Sequence, residues 1–154
     1  MHVSTRIALR EFWLPLLVWV CLTQLFSSDA FSYSESSSLL APILAAMFPG
    51  WSMEQIELAH GVLRKIGHVV EFFVMGILAY RAVRLGWDGV ASIVVAGACV
   101  LSAAALDESH QMMTLYRGPS FVDVGYDFLG ATLGIWLFSV VDRRWAGFRY
   151  RASP

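Results

Sequence analysis

Charge is what this sequence has least of. Only 15% of its 154 residues are Asp, Glu, Lys or Arg, against about 25% in a soluble globular domain. The net charge is −1, so there is no basic surplus to hold nucleic acid, and no nucleic-acid partner is expected. Cysteine is nearly absent too. Cys21 and Cys99 both sit inside apolar runs, which excludes a disulfide framework, a CxxC pair and a cysteine metal centre. Both are read as buried structural thiols. No established zinc spacing such as HExxH occurs.

What the chain has in excess is apolar surface. Hydrophobic residues make up 57% of it, more than a water-facing globule of this size can bury. The expected fold class is all-α: a polytopic membrane protein, one domain over residues 1–154. Four transmembrane helices are expected, with an interfacial or re-entrant helical segment between spans one and two.

The first apolar run is Phe12 to Phe26. Fifteen helical residues reach only about 22 Å of an about 30 Å hydrocarbon core, so the span takes in residues 7–26. Pro15 falls in its early turns, where it kinks rather than breaks a helix. A competing reading is a cleaved signal peptide, with Ser28-Asp29-Ala30 as the small-x-small site. It would leave the orientation of the later spans unchanged. Ser27 to Ser38 reads as a solvated loop, and Leu39 to Phe48 is apolar but too short to span and is interrupted by Pro42. Pro49-Gly50 is a turn, and Ser52 with Gln55 predicts a capping box opening a helix at the membrane surface. His60 on that helix reads as a lone surface histidine.

Spans two, three and four are expected at about 66–84, 90–106 and 121–141, followed by a basic cytoplasmic tail, 142–154, whose Trp145, Phe148 and Tyr150 suit an interface. With the N-terminus inside, four spans place Arg6, Arg10, Arg81, Arg84, Arg143, Arg144, Arg149 and Arg151 in the cytoplasm. They leave Arg64, Lys65 and Arg117 outside. Eight against three follows the positive-inside rule, with both termini cytoplasmic.

That topology gathers polar residues from distant segments at one level. The start of span two brings Arg64, Lys65, His68 and Glu71; the end of span three brings Asp107, Glu108, His110 and Gln111. Arg117, Asp123 and Asp127 come from the last loop and span four. His68 and Glu71 are i,i+3 neighbours, and Asp123 and Asp127 an i,i+4 pair. Asp107 shares a face with His110 and Gln111 if the helix continues through the cluster. Gly130 and Gly134 form a GxxxG on the stripe that carries Asp123 and Asp127, offering close approach to a partner helix. Ser109 and His110 adjoin in sequence but point to different helix faces. This argues against a nucleophile pair and makes Ser109 a helix-capping hydroxyl.

These elements resemble those of the VanZ-like bacterial membrane proteins. Arg64-Lys65-x-x-His68-x-x-Glu71-Phe72 is similar to one motif of that family, Asp107-Glu108-Ser109-His110-Gln111 to a second, and Arg117, Asp123, Asp127, Gly130 and Gly134 to a third. Ser27-Ser28 is similar to its short serine element. Ala105-Leu106 stands where the family commonly carries an aromatic, and Asp127 where Asn is frequent. The resemblance implies an envelope role in a bacterial cytoplasmic membrane and supplies no biochemical activity. Three uses of the polar cluster stay open. It can bind or handle lipid-linked or anionic envelope molecules, with Arg64, Lys65, Gln111, Arg117, Asp123 and Asp127 as binding residues. It can be a metal-assisted hydrolase or transferase centre on a lipid-linked substrate, with His68, Glu71, Asp107, Glu108 and His110 as candidates and a divalent metal as cofactor. Or it can be a purely structural network. Membrane lipids and a lipid-linked envelope precursor are the expected partners.

Overall fold

The computed structural model describes residues 5–28, 33–111 and 121–151, with side chains for 5–28, 36–109 and 122–143. Among the described residues every regular element is helical. We number the helices α1 (Thr5–Phe26), α2 (Tyr33–Met47), α3 (Met53–Val83), α4 (Gly89–Gln111) and α5 (Phe121–Arg151). Four of them (α1, α3, α4 and α5) are long and apolar enough to cross a membrane, and α2 is the shorter apolar helix between the first and second.

Proline accounts for the irregularity of α1. Residues Leu9–Trp13 form a π-helical turn directly before Leu14 and Pro15. A proline ring clashes with the carbonyl four residues back and donates no hydrogen bond, and a widened turn relieves both problems. The span therefore continues through Pro15. The interruption expected at Pro42 does not occur either, because α2 passes through it. Pro42 and Ser38 are both exposed, so the Ser38 carbonyl that loses its donor stays on the helix surface. The loop expected over Ser27 to Ser38 is shorter than predicted, since helix resumes at Tyr33.

A larger correction concerns α3. The surface helix expected from Ser52 and the span expected from residue 66 are one continuous helix of 31 residues. The capping box is present: the Ser52 side chain accepts from Gln55 N, and Gln55 Oε1 accepts from Ser52 N. Nothing between Leu63 and Ile66 can terminate a helix, and the isolated Gly67 is tolerated. At about 1.5 Å per residue the helix is about 46 Å long, so roughly its first ten residues exceed a bilayer span. Both cysteine assignments are also revised: Cys21 is exposed and Cys99 half-buried. On the outside of a membrane bundle an apolar side chain can face lipid instead of protein.

The most extensive helix pair is α3 with α5, and glycine allows it. A Cβ on Gly130 would overlap the Val69 carbonyl, one on Gly134 the Phe73 carbonyl, and one on Gly76 the Ala131 carbonyl. Backbone meets backbone along this seam, so the stripe of Gly130 and Gly134 receives the chain's own span two. Phe72, Met75, Ala79 and Tyr80 of α3 pack with Ala96, Val100 and Ala104 of α4 and with Ala131 and Ile135 of α5 to form the core. Gly89, with φ 58, turns the chain into α4 in a left-handed conformation that suits a residue without Cβ. At this end of the bundle Arg84 donates to Asp142 at 2.9 Å and also pairs with Asp88, which ties the α3–α4 turn to α5.

Candidate polar site

The opposite end of the bundle carries the polar residues. His68 Nδ1 donates to Asp127 Oδ1 at 3.1 Å, and both residues are buried. The bond is made possible by the glycine seam one turn further along, which brings α3 and α5 together. Asp107, 1% exposed, accepts from Gln24 Nε2 at 3.2 Å, so α1 contributes to the site from 83 residues away. Asp107 and Asp123 both lie within electrostatic reach of Asp127. Lys65 stands 5.3 Å over the Tyr126 ring, a cation–π contact at the rim. The Trp19 indole donates to the backbone carbonyl of Glu71 at 2.9 Å, clamping α1 on α3 where the carboxylate departs.

A lateral groove of about 610 Å³ opens beside this layer between α1 and α3. Trp19, Phe26, Leu63, Ile66, Gly67 and Val70 form its apolar walls, and Glu71 is its one ionisable lining residue. Glu71 Oε1 is itself buried. An acidic side chain with a buried oxygen in an apolar cleft is costly to place.

α4 does continue through the expected cluster, to Gln111. It turns Asp107 inward and leaves Glu108 half-buried and Ser109 exposed. Ser109 is not a cap: its hydroxyl donates to the Ala105 carbonyl at 2.7 Å, the back-bond that serine forms inside a helix. The His110 and Gln111 side chains and all of Arg117 lie outside the described residues. Among the described residues no three His, Cys, Asp or Glu side chains are grouped to hold a metal. His68 with Asp127 and Gln24 with Asp107 meet instead as pairs.

A model of the VanZ/LLP1 family matches residues 12–142. The chain belongs to this family. No curated protein and no solved structure matches it. In this VanZ/LLP1 chain, His68 of the first resembling motif, Asp107 of the second and Asp127 of the third come to one buried level. Arg64 of the first motif turns elsewhere. It donates to Ser36 Oγ at 3.4 Å, and Ser36 Oγ lies 3.1 Å from His60 Nε2. His60, expected at the surface, is 1% exposed, because α2 covers that face of α3. Sequence reasoning missed Gln24, Ser36 and His60 as members of polar clusters. For Gln24 a signal existed, since it is the one amide inside the apolar run of span one. For Ser36 none did, since it is one of five serines between Ser32 and Ser38.

Proposed function

We propose that this VanZ/LLP1 protein works in the cytoplasmic membrane of a bacterium, with both termini inside. There it binds lipid-linked or anionic envelope molecules at an outward-facing polar site. The observation that carries this reading is the groove between α1 and α3, whose walls are apolar apart from Glu71. Its apolar walls suit a hydrocarbon chain, while Lys65, exposed on the same stretch of α3, suits the anionic group attached to it. Bilayer-facing apolar clefts with a cation nearby select anionic amphiphiles, because both parts of such a ligand are matched at once.

The experiment is native mass spectrometry of the detergent-purified chain. The wild type should carry an anionic lipid through purification, and Gly67→Trp should release most of it. Gly67 is exposed on the groove wall with no atom within 4 Å of a built Cβ, so the indole fills the cleft without disturbing helix packing. Lipid-free wild type, or retention unchanged in Gly67→Trp, would refute the reading.

A second reading has its own observation. His68–Asp127 and Gln24–Asp107 each join two helices through buried side chains, as expected of groups that hold the bundle together. Under that reading the same substitution leaves function intact in cells, and only substitutions that break the pairs impair it, in proportion to lost stability.

A further inference from the structure

We propose that Ser36 and His60 form a second, separate site: a serine nucleophile and its general base, which accepts acyl groups from lipid esters. The pair is assembled by the fold from positions 24 residues apart, with Ser36 Oγ 3.1 Å from His60 Nε2. Arg64, one turn beyond His60 on α3, places Nη1 3.4 Å from the same oxygen. A guanidinium can only donate, so the serine oxygen accepts from Arg64. Its own proton is then directed to Nε2 in the imidazole tautomer that carries hydrogen on Nδ1. A base facing the proton and a cation facing the oxygen both favour the alkoxide. His60 is 1% exposed whereas Ser36 is half-buried. The base is thus sheltered from water while the nucleophile stays reachable.

The substrate class follows from the helix that bears the serine. Leu39, Ile43 and Met47, exposed by 71%, 53% and 64%, continue from Ser36 at spacings of three, four and four residues. They form one ridge along α2 with the hydroxyl at its polar end. An acyl chain laid along that ridge brings its ester carbonyl to the serine. Arg64 then stands beside the oxygen that becomes anionic. In the step itself the Ser36 oxygen bonds to the carbonyl carbon as its proton passes to His60 Nε2. The tetrahedral adduct collapses by breaking the bond to the alcohol oxygen, which leaves with the proton from His60. Ser36 now carries the acyl group as an ester. Water or a second alcohol repeats the sequence in reverse, its proton going to His60, and releases the acid or a new ester while Ser36 recovers its proton. This inference does not depend on the lipid-binding groove, since none of Ser36, His60 and Arg64 lines it.

A test uses the full chain in detergent with a biotinylated fluorophosphonate, and the adduct is mapped by peptide mass spectrometry. Expected results are a modified Ser36 in the wild type, no adduct there in Ser36→Ala, and at least tenfold slower modification in His60→Gln. A folded, monodisperse wild type without an adduct on Ser36 would overturn the proposal, since a serine that only pins α2 to α3 has no reason to react. Equal rates in a folded His60→Gln would overturn the role of the base. Should His60→Gln fail to fold, Arg64→Gln takes its place, with slower modification expected and an undiminished rate counting against the site.

Discussion

His68 and Asp127 lie 59 residues apart in the chain and meet at 3.1 Å in its buried interior. Removing one member of a buried pair leaves the other desolvated without its partner, at a cost of about 3–5 kcal/mol. His68→Ala and Asp127→Ala should each lower the thermal midpoint of the detergent-solubilised protein sharply. The double substitution should cost less than the sum of the two. Additive losses would mean that the bond carries no coupling energy.

Glycines of the bundle should divide by what faces them. Gly134→Ala places a methyl group against the Phe73 carbonyl, and overpacking of this kind costs about 1–3 kcal/mol. Gly97→Ala meets nothing within 4 Å and should instead stabilise α4 by roughly 0.5–1 kcal/mol through helix propensity. Opposite shifts in melting temperature, or in membrane abundance at equal expression, are the readout. Equal shifts would remove the glycine seam as the reason for the α3–α5 approach.

Gln24→Leu preserves the apolar character of span one and deletes the donor to Asp107 at 3.2 Å. Loss of a hydrogen bond to a buried carboxyl group costs about 1–3 kcal/mol. The variant should insert normally yet melt earlier. In an Asp107→Leu background Gln24→Leu should have little further effect, which chemical denaturation of the purified variants can measure.

Orientation is open to direct labelling. With Cys21 and Cys99 replaced by alanine, Gly50→Cys, in the turn before α3, should react with a membrane-impermeant maleimide on intact cells. Gly86→Cys, in the turn after α3, should react only after lysis. Both glycines are exposed with open space around them, so neither substitution should disturb folding. The reverse pattern would place the polar site on the cytoplasmic side and remove the envelope-facing reading.

Much of this architecture is legible before any coordinates are seen. Spans are set by local hydropathy, which is why four membrane-capable helices, the Ser52–Gln55 capping box and the small-residue stripe of Gly130 and Gly134 could be read residue by residue. The motif residues His68, Asp107 and Asp127 were also recognisable, as was the level of the bundle at which they would gather. These features depend on neighbours within a few turns of one helix, and sequence order reports such neighbours directly.

Which side chain each polar group meets was decided only by tertiary structure. The rotation of α3 against α5 at the glycine seam pairs His68 with Asp127. The approach of α1 gives Asp107 the amide of Gln24, and the unbroken start of α3 beneath α2 buries His60 against Ser36. Periodicity defines the face of a helix on which a residue stands, but helix rotation and separation are set by close packing summed over whole interfaces. The sequence alone determined that this chain crosses a membrane carrying acidic and basic groups at one end; packing decided that His68 meets Asp127 and Asp107 meets Gln24 across helices.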